Sequence, residues 1–249
     1  MADQVLVLDG VWKGFHRGRD WLSVLEGVSL TVDAVEIVTV VGTRDQGKTT
    51  LLRVAAGTLL PEQGLVRFGE LELTRLKERD LSRLLCSEIG LATRDGPSMR
   101  MLVRDYVGLP LPTGRWFGRR DRRRQAIEAL GMLGVADCTC QRWGELSDWQ
   151  RVRVEFAQAV VGRPRVVLVD DVLDGLTFSQ KQEAMGLLKG FADDLGCGVL
   201  MTASDHMSAL TSDRVWQLDD GKLKLMADFT GPDIVPRRGR AECPGEAAG

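Results

Sequence analysis

The chain has 249 residues, enough for one large domain or two small ones at roughly 100–200 residues each, and long enough to bury a core. Lys and Arg total 33 against 35 Asp and Glu, a net charge of −2 that lacks the basic excess of a protein coating nucleic acid. With 44% hydrophobic and 27% charged residues, no apolar run near the roughly 18 of a membrane span, and no signal-peptide features at Met1-Ala2-Asp3-Gln4, the expectation is a soluble cytoplasmic protein.

In chain order, the first forty residues alternate apolar and polar side chains, as in Val24 to Val32, and predict antiparallel strands. Glu36 to Val41 is a short apolar run that reads as a buried strand ending at Gly42. From Lys48 the spacing of Leu51, Leu52, Val54 and Ala55 is helical and stops at Gly57. Helical patterns follow near Met101 to Tyr106 and over Asp121 to Leu133, separated by the loop Leu109 to Gly114. A helix over Ser147 to Val161, a strand over Arg165 to Asp170, a helix over Ser179 to Asp194 and a strand over Cys197 to Thr202 give the rhythm of a parallel sheet. Two short strands, Arg214 to Leu218 and Lys222 to Met226, flank a turn, and the Pro-, Gly- and Arg-rich tail at 231–249 reads as disordered. Five scattered cysteines (Cys86, Cys138, Cys140, Cys197 and Cys243) form no disulfide framework, and His16 and His206 suggest no metal cluster.

Two segments carry chemistry. Gly42-Thr43-Arg44-Asp45-Gln46-Gly47-Lys48-Thr49 fits GxxxxGK[ST] between a predicted strand and a predicted helix, the context of a phosphate-binding loop. Backbone N–H groups of Gln46 to Thr50 and the helix end would cradle a β-phosphate, Lys48 would bridge β- and γ-oxygens, and Thr49 would hold Mg²⁺. Asp45 is out of place beside a polyphosphate unless it points outward or Arg44 offsets it. The second segment, Val166 to Asp171, is an apolar strand ending in two acids, one suited to Mg²⁺ and one to water. Together they predict a P-loop nucleoside triphosphate binder that uses Mg²⁺. The arginines 115, 119, 120, 122, 123 and 124 read first as solvated helix surface, then as a contact with lipid or a membrane subunit.

Leu146 to Asp171 resembles the stretch of ATP-binding cassette (ABC) ATPases from the signature motif to the magnesium aspartate, Asp170. The resemblance covers about residues 5–226. It implies an α/β P-loop fold over about residues 1–230, with a mixed-sheet core, an N-terminal antiparallel β subdomain and a helical subdomain inserted at about 95–160. Phe15 then occupies the aromatic loop that stacks on adenine. In this family two cassettes close head to tail over ATP and drive a membrane partner, which would place the chain on the cytoplasmic face of a membrane.

The chain departs from the family pattern at its catalytic positions. Leu146-Ser147-Asp148-Trp149-Gln150 stands where the family has LSGGQ, so both glycines facing the γ-phosphate are replaced. Asp171 replaces the catalytic Glu, about 1.5 Å shorter. Ser204 stands at the switch histidine, Arg94 at the Gln that binds Mg²⁺, and Thr177 at the aspartate of the following loop. The expectation is a subunit that binds Mg-ATP with weak or absent hydrolysis beside a membrane-spanning subunit, either as a heterodimer with a second cassette or as a monomer, rather than as an ATP-bridged homodimer. A fully active transport ATPase remains the alternative. An ABC-type ATPase acting on nucleic acid is disfavoured, because the middle region is too short for a long coiled coil.

Overall fold

A computed structural model describes residues 4–18, 20–112, 118–209 and 211–230, apart from the side chains of Arg17, His206 and Ser208. The expectations for the tail at 231–249, the loop end at Thr113 and Gly114, Arg115, Cys243 and the direction of His206 therefore lie outside the described residues. The chain runs β1 (Gln4–Arg17), β2 (Asp20–Asp33), β3 (Ile37–Val41), α1 (Lys48–Ala55), β4 (Gln63–Phe68), β5 (Leu71–Glu72), α2 (Glu78–Ser87) and β6 (Ile89–Thr93). It continues through α3 (Val103–Val107), α4 (Arg119–Met132), α5 (Asp148–Val160), β7 (Val166–Asp170), α6 (Phe178–Leu195), β8 (Gly198–Ala203), β9 (Arg214–Asp219) and β10 (Lys222–Asp228).

The strands form two sheets. An antiparallel sheet runs in the order β2-β1-β4-β5, and a six-stranded sheet in the order β10-β9-β3-β8-β7-β6. In the larger sheet β10 is antiparallel, while β9, β3, β8, β7 and β6 are parallel. Strands covered on both faces favour apolar residues at every position, which explains why β3 and β7 are apolar except for Thr39, buried with its hydroxyl bonded to Ser212 at 2.6 Å, and the terminal Asp170. Their side chains alternate between two cores. Val166 and Leu168 join Leu6, Leu25 and Leu51 under the antiparallel sheet and α1, while Val167 and Val169 join Phe156, Leu188 and Leu130 under α4, α5 and α6.

The predicted strands and helices are present within a few residues, and four unpredicted elements, β4, β5, α2 and β6, lie between α1 and α3. β6 is short and includes Gly90 and Ala92, which carry little β propensity. Its glycine has a packing reason, because a Cβ at Gly90 would lie 2.1 Å from the Ala159 carbonyl oxygen of α5. Helix α5 thus lies directly on β6. At its start Ser147 caps it reciprocally with Gln150, whose side chain bonds back to the Ser147 N–H.

Helix α5 also buries an acid in this packed face. Glu155 is 2% exposed and accepts the Tyr106 hydroxyl from α3 on both oxygens at 2.9 Å, with the Thr93 N–H of β6 at 3.4 Å. Burial pushes its carboxyl up to about 7, against the lowering effect of the Tyr106 and Thr93 bonds, and nearby Asp95 adds to the rise. Because the folded-state value lies above the unfolded value of 4.5, the stability linked to this proton is complete below that pH and is lost as pH rises through about 7. The loss amounts to about 3 kcal/mol. Glu155→Gln keeps an acceptor for Tyr106 without the charge. Its thermal stability at pH 8 should exceed that of the wild type, and the difference should vanish toward pH 4.5; parallel pH profiles for the two proteins would contradict this assignment.

Candidate nucleotide site

Parallel register sets the geometry at the carboxyl ends of three neighbouring strands, where α/β sheets bind ligands. Val41 of β3 pairs with Ala203 of β8, and Thr202 of β8 pairs with Asp170 of β7. The residues just beyond, Gly42, Ser204 and Asp171, consequently emerge side by side. Lys48, 6% exposed at the start of α1, donates to the carbonyls of Gly42 at 2.7 Å and Thr43 at 3.0 Å, and to the Ser204 hydroxyl at 3.3 Å. Ser204 donates in turn to Asp171 at 2.8 Å, and the Lys48 ammonium lies 4.0 Å from that carboxylate.

The loop is shaped by its glycines and by Gln46. Gly47 has φ +94, and a Cβ there would fall 2.5 Å from Val24 Cγ1, so both conformation and space require glycine. Gln46 accepts from the Thr43 N–H at 2.7 Å and donates to Asp219 at 2.8 Å, bracing the loop against β9. The first turn of α1 contains no acid, which leaves its N-terminal N–H groups available to an anion.

The two acids after β7 differ in setting. Asp170 accepts the Thr202 hydroxyl at 2.9 Å, and Thr202 Oγ1 in turn accepts the Asp171 N–H at 3.0 Å. Asp171 is held at φ +51, a left-handed conformation that costs a non-glycine residue about 1–2 kcal/mol and requires such bonds to persist.

Phe15, Arg44, Asp45, Gly47, Lys48, Thr49, Thr50 and Asp171 line one cavity of about 400 Å³. The fold thus gathers predicted site residues from β1, the loop, α1 and the end of β7. Phe15 is 42% exposed there, with Lys13 Nζ 5.5 Å from its ring centre, and presents an aromatic face at the opening. An adjoining cavity of about 460 Å³ is lined by Thr49, Asp170, Asp171 and Arg94 among others. Arg44 does not offset Asp45; it pairs with Asp174 at 3.2 Å, and Asp45 is exposed. Arg94 pairs with the same Asp174 oxygen at 2.7 Å, and these two guanidinium groups, Arg94 first, hold the Asp174 carboxyl below the ordinary carboxylate range.

The segment Leu146 to Gln150 stands apart from the phosphate-loop cavity. Leu146 is buried and Ser147 caps α5. Asp148 is 89% exposed and pairs with Arg151 at 3.2 Å, so its carboxylate turns outward with a cation beside it. Trp149 lies back against the core with the Arg153 guanidinium 4.7 Å from its ring centre. Thr177 caps α6 through Gln180. Among residues that sequence reading passed over are Thr202, the hinge between the two acids, and Asp174, the meeting point of two arginines. Their partners are far away in the chain, and no local pattern marks them.

Comparison with known proteins agrees with this geometry. The ABC transporter family model matches residues 25–174. The lipoprotein-releasing system ATP-binding protein LolD of Bacteroides thetaiotaomicron is 28% identical over 224 residues, covering 88% of this chain and 99% of the relative. LolD of Chromohalobacter salexigens is 30% identical over 220 residues, covering 88% of this chain and 92% of the relative. Among solved structures, the dimeric post-hydrolysis structure of the ATP-binding cassette MJ0796 bound to ADP and Pi superposes with a TM-score of 0.83 at 24% identity, covering 91% of this chain and 99% of that one. The chain belongs to the ABC transporter family and has the α/β fold of its ATP-binding cassettes.

Proposed function

We propose that the chain binds Mg-ATP and serves as the nucleotide-binding subunit of a membrane transporter, with slow hydrolysis. The observation that carries this reading is the Lys48 ammonium, held beside the acid-free start of α1 and sharing one cavity with the exposed Phe15 ring. The residues fit the ligand. Gly47 lets the loop turn tightly against Val24, Lys48 and the helix end supply positive charge for the phosphates, Thr49 and Asp170 offer oxygens to Mg²⁺, and Phe15 offers a face for a base. Bound Mg²⁺ would screen the phosphate charge. Residues 1–230 form the nucleotide-binding unit in this reading, with the helical insertion at about 95–160.

The membrane partner rests on the relatives. LolD is named as the ATP-binding protein of a lipoprotein-releasing system, and the macrolide export ATP-binding/permease protein MacB of Nitrobacter winogradskyi is 27% identical over 241 residues, covering 94% of this chain but 36% of that protein. A chain resembling the ATP-binding part of such systems works beside a permease, at the cytoplasmic membrane face, and not on nucleic acid. No described helix is long and apolar enough to cross a membrane.

Slow hydrolysis follows from two side chains. Asp171 is one methylene short of a glutamate and is engaged by Ser204 at 2.8 Å, and a serine hydroxyl cannot extend to a γ-phosphate as an imidazole would. The fully active alternative has one observation in its favour, an acid held 4.0 Å from Lys48. Turnover decides between them.

The altered signature also favours pairing with a different cassette. Its outward Asp148 is offset by Arg151, so charge weighs less here than the side chains that replace two glycines at the start of α5.

Three outcomes are expected. Lys48→Ala should weaken ATP binding by about a hundredfold, as loss of a charged hydrogen bond worth about 3 kcal/mol implies, and equal calorimetric titrations of both proteins would remove the basis of the reading. Wild-type turnover should lie below about 1 per second, and Asp171→Glu with Ser204→His should raise it about tenfold; a wild-type rate in the ordinary enzyme range would establish the active alternative. In light scattering with Mg-ATP, Asp171→Asn should remain monomeric, whereas adding Asp148→Gly and Trp149→Gly should produce a dimer. An ATP-dependent dimer of the single variant would show that the altered signature still closes.

A further inference from the structure

Asp174 joins two arginines that reach it from separate parts of the fold. Arg44 belongs to the phosphate loop, and Arg94 follows Thr93, which pairs with Asp170 across β6 and β7. Both bond to the same oxygen, Oδ2, at 3.2 and 2.7 Å. A guanidinium has five donors, and each of these gives one to Asp174. Arg94 also lines the cavity that contains Thr49, Asp170 and Asp171. Its side chain is 56% exposed and that of Arg44 77%, so neither is fixed by burial.

We propose that Asp174 is a placeholder for phosphate, and that Arg94 leaves it to contact the terminal phosphate of a bound nucleoside triphosphate, selecting triphosphate over diphosphate. This rests on the nucleotide reading above. The physical case has three parts. A phosphate group carries more charge than a carboxylate and matches the guanidinium fork with two parallel bonds, so the exchange is favourable for Arg94. An exposed ion pair is a weak restraint, and its loss costs little. Arg44 remains on Asp174 when Arg94 departs, so the carboxylate is not left unpaired, which gives the second arginine a role. A guanidinium has no lone pair for a metal, and Arg94 therefore acts by charge and hydrogen bonding where a glutamine would act as a ligand. Its position beside Thr49 and Asp170 lets it share the work of Mg²⁺ in neutralising the triphosphate.

Equilibrium binding of ATP and ADP to the full chain, each with Mg²⁺ and with EDTA, tests the proposal. Arg94→Gln should weaken ATP about 10–100-fold in EDTA, the range of a charge-assisted bond, and by less with Mg²⁺ present. ADP should change by less than about threefold, so that the preference for ATP collapses. Asp174→Asn keeps the shape but removes the competing charge, and it should tighten ATP. Melting temperatures within a few degrees of wild type would show that both variants fold. ATP binding that depends on Lys48 but responds to Arg94→Gln no more than ADP binding does would overturn this proposal and leave the nucleotide reading standing. Failure of the wild type to bind either nucleotide would overturn both.

Discussion

The level at which β3, β8 and β7 end is the constraint on which the site depends. Parallel pairing of Val41 with Ala203 and of Thr202 with Asp170 brings a lysine acceptor, a serine and two acids to one edge. A slip of one residue in either pair would turn every side chain of the slipped strand to the opposite core, which the buried valines and leucines on both faces forbid. The hydrophobic pattern of the strands therefore sets the position of Ser204 and Asp171 to within a side chain's length. The hydroxyl of Thr202, shared between the two acids, then fixes their relative orientation.

Positions that depart from the family pattern are integrated into this frame. Ser204 bridges Lys48 and Asp171, Trp149 rests against the core under Arg153, Asp148 has Arg151, and Arg94 has Asp174. Each altered residue thus has a partner of complementary chemistry within the same chain. Buried Glu155 follows the same pattern through Tyr106 and the Thr93 N–H, and it links α3, α5 and β6 one residue before Arg94. The helical part of the molecule is joined there to the strand that carries a cation to the cavity lined by Thr49 and Asp170.

Much of this was legible in the sequence where the signal is local. An apolar run, a glycine loop with lysine and threonine at its end, and helical spacing afterwards mark β3, the phosphate loop and α1 without reference to any other segment. The strand Val166 to Asp170 with its following acid is marked in the same way. β6 was not legible, since Gly90 is explained by the Ala159 carbonyl of a helix about seventy residues later and not by its neighbours. Asp174 was equally hidden, with partners 130 and 80 residues upstream. Tyr106 and Glu155 are 49 residues apart, and within α5 the acid looks like one more exposed helix position. Local periodicity reveals the strongly patterned elements; the bonds that decide protonation and charge in the site are made between elements.

The bracing of the loop also bears on the order in which the chain folds. β1 and β2 pair antiparallel and can do so once both strands, Gln4–Arg17 and Asp20–Asp33, are free, and Val24, which shapes Gly47, belongs to β2. The contacts that complete the loop come much later: Lys48 with Ser204 spans 156 residues and Gln46 with Asp219 spans 173. Contacts of such long range form slowly, because the intervening chain must be ordered before they are rewarded. During synthesis the phosphate loop therefore emerges beside its β2 template but lacks its second wall until β8 and β9 have left the ribosome. The finished loop is among the last features the growing chain acquires.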